Sequence, residues 1–310
     1  MPESIGFVGL GQMGQPMALN LLKAGFAMRV FDLQEERMAP LVAQGAYQAF
    51  GLGEVTELGG IVLTMVPDDR ALLEVALGEG GILRRIGVGG IHLSLSTVSP
   101  EVSAQFAELY EQQGSHYLAA TVLGRPEVAE AAQLSIFLSG NRAAKARVLP
   151  LLGSLGTNIY DLGERVEVAN VVKLGYNFLI AAAIEAMGEA AALVEQYGAN
   201  RAQFLRMLVE SPLFKGAVYE GYGSMIGTQD YSDARFPVAM GLKDVELVLQ
   251  AAERVDAPLP YARIVHWHLL AAQAGGRSNE DWSVLADFAT QVVTGEAVSL
   301  WEGWPAQASR

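Results

Sequence analysis

Up to about residue 160, short apolar runs alternate with stretches whose apolar positions recur at helical spacing. The runs at residues 5–9, 27–32, 60–66, 90–95 and 134–139 predict strands, and residues 13–24, 33–44 and 100–113 predict helices between them. Such alternation predicts an α/β fold, a doubly wound parallel sheet with helices on both faces. From residue 164 to 197 the pattern changes. Ala, Val, Leu and Glu dominate, interrupted by Gly175 and Gly188, and one long helix is expected. At about 1.5 Å per residue it would span roughly 50 Å. That exceeds the width of a small domain, so it should bridge two domains or thread through a dimer. Residues 201–307 read as further helices, with turn signals at Ser211-Pro212, between Pro258 and Pro260, and at Gly275-Gly276. The expected organisation is a first domain over residues 1–162, a linking helix over 163–197, and an all-helical substrate and dimerisation domain over 198–310.

Composition narrows the function. Of 310 residues, 51% are hydrophobic and 18% charged, enough apolar side chains for a large core. The net charge of −13 argues against a nucleic-acid partner, since phosphate binding needs clustered Lys and Arg. There is no cysteine, which removes disulfides, thiolate catalysis and Cys-ligated zinc and fits a reducing, cytoplasmic setting. Glu3 stands where a secretion signal carries positive charge, so none is expected. The most apolar long stretch, residues 166–194, is interrupted by Glu167, Lys173, Asn177, Glu185 and Glu189, which argues against a membrane span and for a buried helix. His266 and His268 are two residues apart and face different sides of a helix, so no metal site is expected. Trp267, Trp282, Phe288 and Trp301 are expected to pack helices together.

The first strand runs into Gly9, Leu10, Gly11, Gln12, Met13 and Gly14, a complete Gly-x-Gly-x-x-Gly. Gly9 allows the tight turn, Gly11 lets backbone approach a pyrophosphate, and Gly14 lets the helix pack closely on the strand. The helix would aim free N–H groups and its positive end at the phosphates. A second apolar run ends at Asp32, which can bind both ribose hydroxyls of the adenosine half and repels a 2′-phosphate. Together these predict an N-terminal Rossmann domain that prefers NAD. Arg37 is the nearest basic residue downstream and within reach of a 2′-phosphate, which leaves NADP use open.

Residues 6–25, with this glycine motif and the Gln-Pro-Met-Ala that follows it, resemble the opening of the β-hydroxyacid dehydrogenases. That family includes 3-hydroxyisobutyrate dehydrogenase, tartronate semialdehyde reductase and the glyoxylate/succinic semialdehyde reductases, and imine reductases share its fold. Later motifs recur in order along nearly the whole chain. Ser96, Thr97 and Pro100 are similar to the family's Ser-Thr-x-x-Pro segment, which lies beside substrate and nicotinamide; by themselves these residues also make an ordinary helix start. Lys173 and Asn177 match its Lys-x-x-x-Asn pair, on one helical face. Lys173 stands among Val171, Val172 and Leu174, and burial disfavours an ammonium, which suits proton transfer near neutral pH. Lys243 and Asp244 match the late Lys-Asp pair, in which the Lys lies near the substrate acid group. The resemblance implies that Lys173 and Asn177 are catalytic. It adds Met65, Val66, Pro67, Thr97 and Lys243 to the cofactor seat, and it implies a homodimer and a 6-phosphogluconate-dehydrogenase-like helical domain. Asp281 resembles the late Asp-x-Ser segment, with a structural or cleft-lining role.

The third motif departs from the family. Where Asp-Ala-Pro-Val-Ser-Gly-Gly is usual, the chain reads Ala119, Ala120, Thr121, Val122, Leu123, Gly124, Arg125 and then Pro126. The Leu123 side chain cannot donate a hydrogen bond and Pro126 has no N–H, so the family's carboxylate cradle is impaired. Either Arg125 clamps an acid group itself, or the site takes a carbonyl or imine lacking one. Leu123, Gly124 and Arg125, with Ser96, Thr97 and Lys243, are the expected substrate residues, and a cleft between the domains is the expected place. The activity implied is hydride transfer between NAD(P) and a small carbonyl or hydroxy compound, a β-hydroxyacid or semialdehyde. Reduction of a C=N bond is the alternative, and a cofactor-binding interaction module without turnover is the second alternative.

Overall fold

The computed structural model describes residues 4–289. These divide into two compact units, with the division between Lys173 and Leu174, inside one helix, Glu167–Gln196.

The first unit is built on one eight-stranded sheet: β1 (Ile5–Val8), β2 (Met28–Phe31), β3 (Tyr47–Gln48), β4 (Ile61–Thr64), β5 (Ile91–Ser94), β6 (His116–Leu123), β7 (Leu134–Ser139) and β8 (Gly156–Asp161). The spatial order is β3-β2-β1-β4-β5-β6-β7-β8. β1, β4 and β5 are buried along their length, as strands covered by helices on both faces must be. Core residues on one face include Phe7, Leu63 and Leu93, and on the other Val8, Val62 and Tyr117. The chain order reverses beside β1, where β2 and β4 flank it, which is the switch point at which α/β sheets bind ligands.

Three strands and one helix depart from the pattern in the sequence. β6, β8 and the two-residue β3 are additional. β8 is an edge strand whose Thr157, Asn158, Tyr160 and Asp161 are exposed, so it carries no apolar run. β7 runs antiparallel to β6, while the other neighbours are parallel. Residues 33–44 form a 3-10 turn, Glu35–Arg37, and a separate short helix, Ala39–Val42. Pro40 lacks an N–H and so fits only the first turn of the second piece.

The second unit is helical. The 30-residue helix Glu167–Gln196 is followed by Arg201–Glu210, Ala217–Thr228, Val238–Arg254 and Pro260–Ala274. By length and composition the first of these could cross a membrane. Its Glu185, however, is fully buried and pairs with Nδ1 of His268 at 2.9 Å, as in a protein core. Trp282 is 2% exposed and lies edge-on to Tyr222 and Phe236, the packing role expected of it; Trp301 lies outside the described residues. Asp281 is structural: its carboxylate accepts from the amides of Arg235, Phe236 and Ser283 and caps the turn Trp282–Leu285.

Candidate functional site

The register of the parallel strands brings five segments to one edge of the sheet. Val8 pairs with Phe31 and Thr64, Thr64 with Ser94, and Ser94 with Ala119. Residues 9–14, Asp32, the Met65-Val66-Pro67 loop and the Ser96-Thr97 loop therefore follow the carboxyl ends of neighbouring strands, while β6 runs on past Ala119 to Leu123 and Gly124 and Arg125 follow its carboxyl end.

The three glycines of the first loop have different work. Gly9 has φ +92°, and a Cβ there would sit 2.2 Å from the carbonyl oxygen of Met65. A Cβ on Gly14 would sit 1.9 Å from the carbonyl oxygen of Gly9, so helix and strand touch backbone to backbone. Neither could carry a side chain. A Cβ on Gly11 would meet nothing closer than Nη1 of Arg37 at 3.9 Å. The fold itself does not require that glycine, whereas a pyrophosphate lying against the backbone does. The helix behind it, Gly14–Lys23, starts from Met13 with no side-chain cap, as do Ala217–Thr228, Val238–Arg254 and Pro260–Ala274, but here the uncapped end follows directly on the glycine loop. Gln12 is exposed and Met13 and Gly11 half-buried. An open glycine face before an uncapped helix end fits a dinucleotide.

Asp32 is 8% exposed. Its Oδ2 accepts the Leu10 N–H at 2.7 Å, which ties the glycine loop to the end of β2, and its Oδ1 accepts the Gln34 N–H at 2.9 Å. The Arg37 guanidinium lies 3.6 Å from Oδ1. Ser96 is fully buried, and its hydroxyl accepts the Val66 N–H at 2.8 Å, joining the two predicted loops directly. Thr97, Met65 and Val66 are half-buried and Pro67 is exposed. Leu123 ends β6 half-buried, and Gly124 is exposed at φ +155°. Arg125 follows in extended backbone just ahead of the helix Pro126–Glu130.

Lys173 is 8% exposed, near the end of the first unit. One turn earlier, Asn170 is fully buried and donates from Nδ2 to the carbonyl of Val98 at 3.3 Å, next to Thr97. The Thr121 hydroxyl donates to the carbonyl of Ala169 at 2.9 Å. The start of the long helix is thereby fastened to the Ser96-Thr97 loop and to β6. Asn170 went unremarked in the sequence, although its spacing to Lys173 and Asn177 puts the three on one helical face.

In the second unit, Asn177 is 5% exposed and donates from Nδ2 to Oδ2 of Asp244 at 2.5 Å. Lys243 pairs with Oδ1 of the same carboxylate at 2.8 Å. Asp244 is 2% exposed and thus anchors both predicted site residues of this unit. His266 and His268 have separate partners, Glu246 and Glu185.

Residues 4–175 match the family model described as the NAD binding domain of 6-phosphogluconate dehydrogenase. Residues 168–288 match the one described as NAD-binding of NADP-dependent 3-hydroxyisobutyrate dehydrogenase. Over 281 residues the chain is 39% identical to an uncharacterized oxidoreductase of Bacillus subtilis (strain 168), covering 91% of this chain and 98% of that one. It is 30% identical over 295 residues to the 2-(hydroxymethyl)glutarate dehydrogenase of Eubacterium barkeri, covering 95% and 97%. The chain belongs to the β-hydroxyacid dehydrogenase family. As a member it is an NAD(P)-dependent oxidoreductase of the hydroxyacid and semialdehyde type. The fold agrees: a 3-hydroxyisobutyrate dehydrogenase from Salmonella typhimurium superposes with a TM-score of 0.82 at 25% identity, covering 92% of this chain and 99% of that one. Imine reductase and reductive aminase structures superpose less closely and share the fold alone.

Proposed function

We propose that this β-hydroxyacid dehydrogenase interconverts a short β-hydroxyacid and its semialdehyde, prefers NAD to NADP, and acts as a homodimer in the cytoplasm. The observation that carries the reading is the convergence of residues 9–14, Asp32, the Val66–Ser96 link and residues 123–125 on one sheet edge.

Residues 9–14 hold the pyrophosphate, Asp32 the adenosine ribose, and Met65, Val66, Pro67 and Thr97 the nicotinamide half. The bound coenzyme supplies or accepts a hydride. Lys173 gives a proton to the carbonyl oxygen in reduction and takes it from the hydroxyl in oxidation. Asn177, one turn further along the helix, orients Lys173 and the substrate oxygen. Ser96 fixes the loop on which Thr97 stands. Lys243 and Arg125 balance the charge of the substrate acid, with Arg125 taking the place of the family's Ser-Gly-Gly donors beside Leu123 and Gly124.

The dimer rests on an apolar seam. Tyr176, Leu179, Ala183, Ala186, Ala190 and Leu193 alternate in steps of three and four along one side of the long helix. Leu179 is 65% and Leu193 58% exposed on this stripe, which supports its being covered by a second copy.

The test is a substrate panel followed through nicotinamide absorbance: semialdehydes with a carboxylate, their uncharged esters, and cyclic imines, each with NADH and NADPH. The acid-bearing semialdehydes with NADH should give the highest kcat/KM, and Arg125→Ala should raise their KM while leaving the esters unchanged. The altered third motif favours a second reading, reduction of an uncharged C=N, and faster turnover of the imines would replace the first with it. A tenfold or greater preference for NADPH, about 1.4 kcal/mol, would remove the coenzyme assignment.

A further inference from the structure

We propose that Asn170 is a positioning residue for the proton transfer: its amide pins the Lys173 turn to the Thr97 loop and offers its oxygen to the Lys173 ammonium. The proposal rests on the reading of Lys173 as the proton carrier and adds the group that steadies the proton on it.

Asn170 is fully buried, a costly place for an amide unless both of its ends are used. One end is. Nδ2 donates to the carbonyl of Val98 at 3.3 Å, next to Thr97. A carbonyl only accepts, so the amide cannot flip without losing this bond, and Oδ1 is held on the other side. That oxygen is buried with no hydrogen-bond partner. A shielded acceptor without a donor is destabilising, and native proteins keep few of them.

The donor that the helix brings is Lys173, three residues on and on the same face. Helical side chains lean towards the N-terminal end, so the Lys173 stem lies back over the turn that carries Asn170. The flexible stem ends in an ammonium whose N–H groups point several ways, and a change of rotamer brings one of them to Oδ1. The acids of the adjoining segments are engaged elsewhere. Glu167, on the first turn, pairs with Arg165 at 2.7 Å, and Asp69 accepts the Ser99 N–H at 2.8 Å. Thr121 of β6 commits its hydroxyl to the carbonyl of Ala169. Asn170 is thus a neutral acceptor, which favours the charged lysine without locking it in an ion pair. No bond of Asn170 forms or breaks: the proton passes from Nζ to the substrate oxygen in reduction and returns in oxidation.

The test compares the wild type with Asn170→Leu, which keeps the bulk and removes both ends of the amide, and Asn170→Asp, which keeps an oxygen and adds a charge. The first readout is the alkaline limb of kcat/KM for semialdehyde reduction, where Lys173 loses its proton. The second needs no turnover: an NMR titration of the chain carrying isotope-labelled lysine, with the Lys173 signal identified by its loss in Lys173→Ala. In Asn170→Leu both should move to lower pH by about one pH unit, and in Asn170→Asp both should move to higher pH by about as much. A purely structural amide would move neither. A Kd for NADH within about threefold of wild type shows that each variant is folded. An unmoved limb and an unmoved Lys173 titration in the folded variants, or in Asn170→Asp alone if Asn170→Leu does not fold, overturn the role of Asn170 and leave that of Lys173 standing. Full turnover by Lys173→Ala overturns the proton-carrier reading instead, and the proposal falls with it.

Discussion

The side-chain amide of Asn177 donates to the buried carboxylate of Asp244 at 2.5 Å. A carboxylate only accepts, so this contact fixes which end of the amide faces it: Nδ2 points to Asp244 and Oδ1 points away. Asp244→Asn offers Asn177 either a donor or an acceptor, and the amide can flip. The variant should lose roughly 10- to 100-fold in kcat, with coenzyme Kd unchanged. It should also loosen Lys243, whose ion pair uses the other oxygen, and raise the KM of acid substrates. Wild-type kcat in a folded Asp244→Asn enzyme would show that the amide's orientation has no bearing on turnover.

Lys173→Ala should lower kcat by about 10²-fold or more, because general acid-base assistance is worth that much. NADH affinity should stay near normal. Steady-state kinetics beside a fluorescence titration separate the two, and undiminished turnover would take Lys173 out of the mechanism.

Two glycines of one motif should respond in opposite ways. Gly14→Ala forces a Cβ into the Gly9 carbonyl oxygen and should cost roughly 1–3 kcal/mol or more in urea unfolding. Gly11→Ala meets no atom nearer than 3.9 Å and should change stability by less than about 0.5 kcal/mol. Its coenzyme Kd should nevertheless rise about tenfold or more, because the methyl group occupies the pyrophosphate face. Normal NADH binding by Gly11→Ala would mean that the dinucleotide lies elsewhere.

His92 makes stability depend on pH. It is fully buried between the Thr64 hydroxyl at 3.0 Å and the Tyr110 hydroxyl at 2.6 Å, and burial pushes its pKa from 6.5 down to about 3. The unfolded chain takes up this proton near 6.5 and the folded chain refuses it until about 3. Stability from this group is therefore complete above 6.5 and falls as pH drops, by roughly 1.4 kcal/mol per pH unit. Urea unfolding at pH 7 and pH 5 should differ by about 2 kcal/mol more in the wild type than in His92→Gln, which cannot titrate. Equal slopes would show that His92 is protonated in the folded state.

Much of the nucleotide-binding edge could be read in the sequence because each part is local. β1 and β2 are apolar runs that end at Gly9 and Asp32, and the helix between them has its own period. Direction is not local: the residues of β7 alternate no differently for running against β6. β8 escaped because an edge strand need not be apolar, and the helix expected over residues 33–44 failed at Pro40, whose missing N–H outweighs the helical spacing around it. Lys173 and Asn177 were legible as a helical pair. The anchoring role of Asp244 was not, because it comes from a contact across 67 positions of chain.

The Ser96 hydroxyl that receives the Val66 amide has a mechanical consequence. It splices the turn after β4 to the turn after β5, so neither can relax alone. Whatever docks against Val66 also settles the backbone on which Thr97 stands, and by reciprocity whatever settles Thr97 steadies Val66 in turn.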